Sequence, residues 1–303
     1  MSSLLSLFAD NLLPIFLAAG IGVLISRFLN TNPRPLSQVI FYVFSPCLVF
    51  NLITHSQLSD GDILHMMLFA GLMCVLIGTL TWLAGHFFRL ERRMMAAVLL
   101  TSIFMNAGNF GLSLNNFAFG ETTLSYASLY FVTTSVLTYT IGIIIASMGT
   151  ATLKQAVINL FKIPAIYALV MAFIFLRTGW DLPVPLDRTT SLLGDASIPS
   201  MLILLGMQLK SVKLKGSLVP LALTNVMRLL VAPALALLLS LAFGFQGPAQ
   251  QAAVLESAMP AAVITTVLAT EYDVEPSYVT AAVFSTTLLS ALTLTPILAF
   301  LGG

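Results

Sequence analysis

The residues with chemical potential lie in two stretches of otherwise apolar chain. MNAGNFGLSL (105–114) carries Asn106, Gly108, Asn109 and Gly111, and SAMPAAV (257–263) carries Met259 and Pro260. Glycine permits non-helical angles and proline removes an amide donor, so both stretches are predicted to interrupt a helix and free backbone groups there. Freed N–H groups and asparagine amides suit a carboxylate, whereas freed carbonyls suit a cation. Arg228 lies eleven residues into its apolar segment, roughly 16 Å deep at 1.5 Å per residue. Glu256 lies at a similar depth. Two readings stand: a structural Arg228–Glu256 ion pair, or Arg228 as positive potential for an anionic substrate with Glu256 as the proton-coupling acid. Asn51, beside Ser45 and Pro46, is a further candidate lining residue. Asp195, in GDASIPS, is either a helix cap or a second coupling-ion acid.

These residues need a membrane-embedded scaffold. Of 303 residues 58% are hydrophobic and 8% charged, with a net charge of +1, a balance that excludes a soluble core and gives nucleic acid no footprint. A hydrocarbon layer of about 30 Å needs roughly 20 apolar residues per helix. Ten such segments run over 8–28, 36–54, 63–88, 94–118, 122–148, 160–177, 189–209, 217–243, 249–270 and 276–300. With both termini outside, Arg27, Arg34, Arg89, Arg92, Arg93, Lys154, Lys162, Lys210, Lys213 and Lys215 fall in cytoplasmic loops. Only Arg177 and Arg188 fall outside, so the positive-inside bias supports this orientation.

The chain also repeats. LPIFLAAGIGVLISR (13–27) and IPAIYALVMAFIFLR (163–177) place Pro and Arg thirteen residues apart, at an offset of 150. SPCLVF with SIPSML, AAVLLTS with AAVLES, and FVTT with FSTT follow at nearly the same offset. The expectation is two five-helix repeats, 1–150 and 151–303, the second inverted because each holds an odd number of spans. Spans 4 and 9 are then the interrupted pair. Their second halves begin at mid-depth and aim N-terminal dipole ends at one central volume, which favours an anion.

The stretches NAGNFGLSL, SPCLVFNLI, LLGDASIPSMLILLGMQL and ESAMPAAVITTVLA, in this order along the chain, resemble the auxin efflux carrier family in its compact prokaryotic form. The resemblance implies a bile-acid-symporter-like fold with a panel domain, a core domain holding crossing broken helices 4 and 9, and elevator-type movement. It also implies a small organic anion such as a carboxylate as substrate, in a bacterial inner membrane. One departure is Ser113, where many bacterial members carry proline, which leaves the interruption of span 4 to its glycines. Another is the lack in span 4 of the glutamate a sodium site would use, with Thr101 and Ser102 nearby instead. Proton coupling is therefore favoured over the alternative, a sodium-coupled bile-acid-type symporter. A homodimer is left open. No cofactor or metal is expected, since His55, His65 and His86 sit at span ends without ligand spacing. No hydrolase motif is present either. A membrane sensor or scaffold is the reading from a different class, separable by solute flux into liposomes.

Overall fold

With no water in the bilayer to receive a peptide N–H, a spanning chain satisfies its backbone within helices. The computed structural model describes residues 4–55, 58–147, 164–180, 182–209 and 218–302, and helices carry nearly all of them. They are α1 (Leu4–Phe28), α2 (Arg34–Thr54), α3 (Asp60–Phe87), α4 (Arg92–Ile103), α5 (107–119), α6 (Glu121–Ala146), α7 (Pro164–Thr178), α8 (Val184–Gln208), α9 (Leu218–Ala242), α10 (Gly247–Ser257), α11 (Ile264–Glu271) and α12 (Pro276–Leu301). Seven of them, α1, α2, α3, α6, α8, α9 and α12, are long and apolar enough to cross a bilayer, and α7 is a shorter apolar helix. The other four come as two interrupted pairs, α4 with α5 and α10 with α11. Lys154, Lys162, Lys210, Lys213, Lys215 and the expected repeat junction at 150/151 lie outside the described residues.

Local chemistry sets several boundaries. The Ser59 hydroxyl accepts from the Asp62 N–H while the Asp62 carboxylate accepts from the Ser59 N–H, a reciprocal cap that starts α3. Gly120 at φ +78° makes the turn from α5 into α6, a conformation that costs any other residue strain. The outward faces are apolar, with Leu17, Ile21, Leu24, Leu238, Leu241 and Leu292 all more than half exposed, as lipid contact requires. The ends are tied by Arg93–Asp273 at 3.0 Å and by Arg177–Asp60. Each pair joins two places that the basic-residue distribution assigns to one side of the membrane.

Two packing seams organise the helices. The part of α8 from Ser197 onward lies along α1, and α7 lies along the Ser45–Thr54 stretch of α2, where Phe50 and Phe175 meet edge to face. Small residues set the first seam. A Cβ on Gly206 would stand 1.7 Å from the Ala19 carbonyl oxygen, and one on Gly22 would stand 2.0 Å from that of Ile203. Neither backbone can yield, because each is hydrogen-bonded within its own helix. Around the interrupted pairs, α3, α6, α9 and α12 pack as a second group. A ladder of hydroxyls braces it: Thr101 to Thr224 at 3.1 Å, Thr224 to Tyr278 at 2.6 Å, and the Tyr278 hydroxyl donating to the Pro220 carbonyl.

The interruption of span 4 does not fall on its glycines. The non-helical angles belong to Phe104 (φ −95°, ψ 113°) and Asn106 (φ −80°, ψ 58°), and Gly108 and Gly111 already lie in α5. Strand-like pairing with the other interrupted helix holds the chain open there, so no glycine angle is needed. Substitution of Gly206 by Val is expected to cost about 3 kcal/mol or more through overpacking and to abolish a monodisperse peak in detergent. Gly20→Ala, a position with nothing within 4 Å of the added Cβ, is expected to leave both peak and melting temperature unchanged.

Candidate functional site

The two interruptions meet. Met105 and Ala261 form an antiparallel bridge, the Asn106 N–H donates to the Pro260 carbonyl at 2.8 Å, and the Ala262 N–H donates to the Phe104 carbonyl at 2.9 Å. Three further carbonyls at this crossing accept from Arg228, which is fully buried on α9. Its Nη1 donates to the Ser102 carbonyl at 3.0 Å, its Nη2 to those of Ser257 at 2.6 Å and Met259 at 2.8 Å, and its Nε to Met259 at 3.2 Å. The guanidinium thus caps the C-terminal ends of both α4 and α10, which is where a cation is favoured.

The donors are treated differently. The Ala261 N–H reaches the Thr286 hydroxyl at 3.1 Å, and the Ala107 N–H reaches the Met105 carbonyl at 2.9 Å. The N–H groups of Gly108 and Asn109 at the start of α5, and of Val263 and Ile264 at the start of α11, have no acceptor among the described residues. All four residues line one cavity of about 150 Å³, as does Asn106, whose buried Nδ2 is also without a partner. Facing them across the cavity are Ser37, Phe41 and Ser45 of α2, Phe131, Thr134 and Tyr139 of α6, and Met201 and Gln208 of α8. None of the described lining side chains is charged. The Thr134 and Thr138 hydroxyls donate back into their own helix, so they offer lone pairs.

The cavity is continuous with a wider hollow of about 750 Å³, sharing Ser37, Gln208, Val263, Ile264 and Val267 with it. Arg34 and Glu271 line that hollow. A separate groove of about 480 Å³ at the opposite end is lined by Asn116, Glu121 and Asp195 and shares no residue with the cavity.

Of the residues singled out from sequence, Asn106, Gly108 and Asn109 are brought together at the cavity wall. Met259 and Pro260 lie behind it, where they contribute carbonyls to the crossing. Gly111 faces Glu256, and a Cβ there would stand 2.3 Å from a carboxyl oxygen. Asn51 sits against Gly194 between α2 and α8, and Asp195 is exposed in the opposite groove. The Arg228–Glu256 pair is not formed: Arg228 is directed at carbonyls, while fully buried Glu256 accepts from Asn115 Nδ2 at 2.9 Å and its second oxygen has no partner. The two side chains have separate partners, the carbonyls of Ser102, Ser257 and Met259 for one and Asn115 for the other. Asn115 and Gln208 were absent from the sequence-derived set. Both are amides inside apolar spans, and that polarity was the available signal.

Comparison with known proteins points to membrane transport. A family model described as membrane transport protein matches residues 7–298. An uncharacterized transporter of Methanothermobacter thermautotrophicus is 27% identical over 265 residues, covering 86% of each chain. An uncharacterized transporter of Methanocaldococcus jannaschii is 26% identical over 272 residues, covering 86% of this chain and 87% of its own.

Gly111 and Glu256 supply a test of the packing. Gly111→Ala is expected to destabilise the protein by about 1–3 kcal/mol, and Glu256→Ala, which removes the obstructing carboxyl, should recover part of that loss. Additive melting-temperature changes in the double variant would show that the two positions do not touch.

Proposed function

The chain belongs to the membrane transport protein family, the auxin efflux carriers, and on that premise we propose that it is a secondary carrier of a small organic anion such as a carboxylate. The observation that carries the proposal is the cavity at the crossing, into which two helix starts present unpartnered N–H groups beside the unpartnered Asn106 amide. Donors without acceptors favour a ligand rich in lone pairs, and the N-terminal dipole ends favour negative charge.

Alternating access is proposed to arise from movement of the group holding the interrupted helices against α1, α2, α7 and α8. The cavity lies between these groups and opens toward the end that carries Arg34 and Glu271, which corresponds to an inward-open state in the orientation favoured by the basic residues. Two inverted repeats are supported by paired seams: α1 on α8 and α7 on α2 exchange under a first-to-sixth, second-to-seventh correspondence. In this scheme Glu256, buried and in no ion pair among the described residues, is the coupling carboxyl, taking up and releasing a proton next to Asn115.

Counterflow in proteoliposomes against a panel of mono- and dicarboxylates should reveal at least one exchanging anion. Silence with all of them, alongside uptake of a cation or neutral solute, would refute the substrate class. Asn106→Ala is expected to weaken apparent affinity about tenfold or more while leaving the melting temperature near wild type, since it removes one charge-assisted donor. Glu256→Gln preserves size and polarity and is expected to abolish the response of flux to an imposed pH gradient. An unaltered response would remove Glu256 from the coupling scheme.

A further inference from the structure

Interrupted helices leave carbonyl groups at the ends of their first halves, and such clusters bind monovalent cations in carriers that use them. Three of those carbonyls, on Ser102, Ser257 and Met259, converge here from the end of α4, the end of α10 and the chain just after it. Their occupant arrives from a third element. Arg228 enters from α9 at a widened turn, where the Ala232 N–H bonds five residues back to the Met227 carbonyl. That extra residue per turn is a local departure from regular helix geometry of the kind found at functional positions. The guanidinium is wholly buried, makes four hydrogen bonds and meets no carboxylate among the described ion pairs.

The geometry points to Arg228 as a built-in cation that permanently occupies a carbonyl site at the crossing, so that this carrier needs no sodium to hold its two interrupted helices together. A planar fork reaches oxygens on two separate helices at once, which a single ammonium does less well. A neutral residue would leave the three carbonyls facing one another, unpartnered and mutually repulsive. The flux part of the inference rests on the carrier reading; the assignment of the site does not.

The test compares wild type with Arg228→Ala in sodium, lithium, N-methylglucamine and millimolar guanidinium. Wild-type melting temperature and anion counterflow are expected to be indifferent to the cation. Dependence of either on sodium would overturn the inference. Arg228→Ala is expected to melt lower and to lose about tenfold or more of its flux, and guanidinium or sodium, by filling the vacated oxygens, should raise its melting temperature without affecting wild type. An alanine variant as stable and active as wild type, or one that no cation stabilises, would overturn it. Should the alanine variant fail to fold, Arg228→Lys carries the test: it should fold, retain reduced flux and remain indifferent to sodium, and a lysine variant that melts higher in sodium, or that fails to fold, would overturn the assignment. If wild type moves no anion at all, the carrier reading falls, while the melts still decide whether Arg228 fills a cation site.

Discussion

A peptide group in hydrocarbon has no water to fall back on, and the centre of this molecule is organised by that constraint. Two helices stop halfway, and each stop releases acceptors on one side and donors on the other. The acceptors are closed by an arginine and by strand-like pairing between Phe104–Asn106 and Pro260–Ala262. The N–H groups of Met105, Gly108, Asn109, Val263 and Ile264 find no acceptor among the described residues, and all five residues line one cavity. On the proposed reading, that asymmetry sets the sign of the ligand.

The same constraint separates the two buried ionisable groups. Arg228 belongs to the carbonyl face, where its charge is answered by dipoles rather than by a counter-ion. Glu256 belongs to the packed interface between α10 and α5, wedged against the Gly111 backbone and held by one amide. Pairing them would have neutralised both. Apart, each remains available for a separate task, which is consistent with the general expense of placing charge inside a membrane.

Much of this was readable in the residue pattern. Apolar segment lengths located the long helices, and the clustering of Asn, Gly and Pro located both interruptions to within a few residues. What the pattern hid was the work of contacts between distant parts of the chain. Phe104 and Met105 look like ordinary helix formers, and they leave helical geometry because the Ala262 N–H bonds the Phe104 carbonyl and Ala261 stands opposite Met105 in the bridge. Gly108 and Gly111 look like helix breakers, yet they are needed for thinness, against the Phe131 ring and the Glu256 carboxyl. Depth along the helix placed Arg228 and Glu256 at one level without revealing that they face different ways, since azimuth depends on tertiary packing. Gln208 showed itself only as a polar residue near the end of a long apolar run, and its place at the cavity wall follows from how α8 lies across the crossing.

The seam between α1 and α8 has a mechanical corollary. Gly22 and Gly206 bring main chain against main chain, so neither helix can slide or roll past the other without collision. They must travel, or stand still, as one rigid beam. Slippage is left to the surfaces where only flexible tips such as Met201 and Leu204 meet the crossing, and those are the same tips that enclose the cavity. In the proposed carrier scheme, whatever opens the chamber to the far side therefore also reshapes its wall, so a lodged guest would feel every step of the stroke.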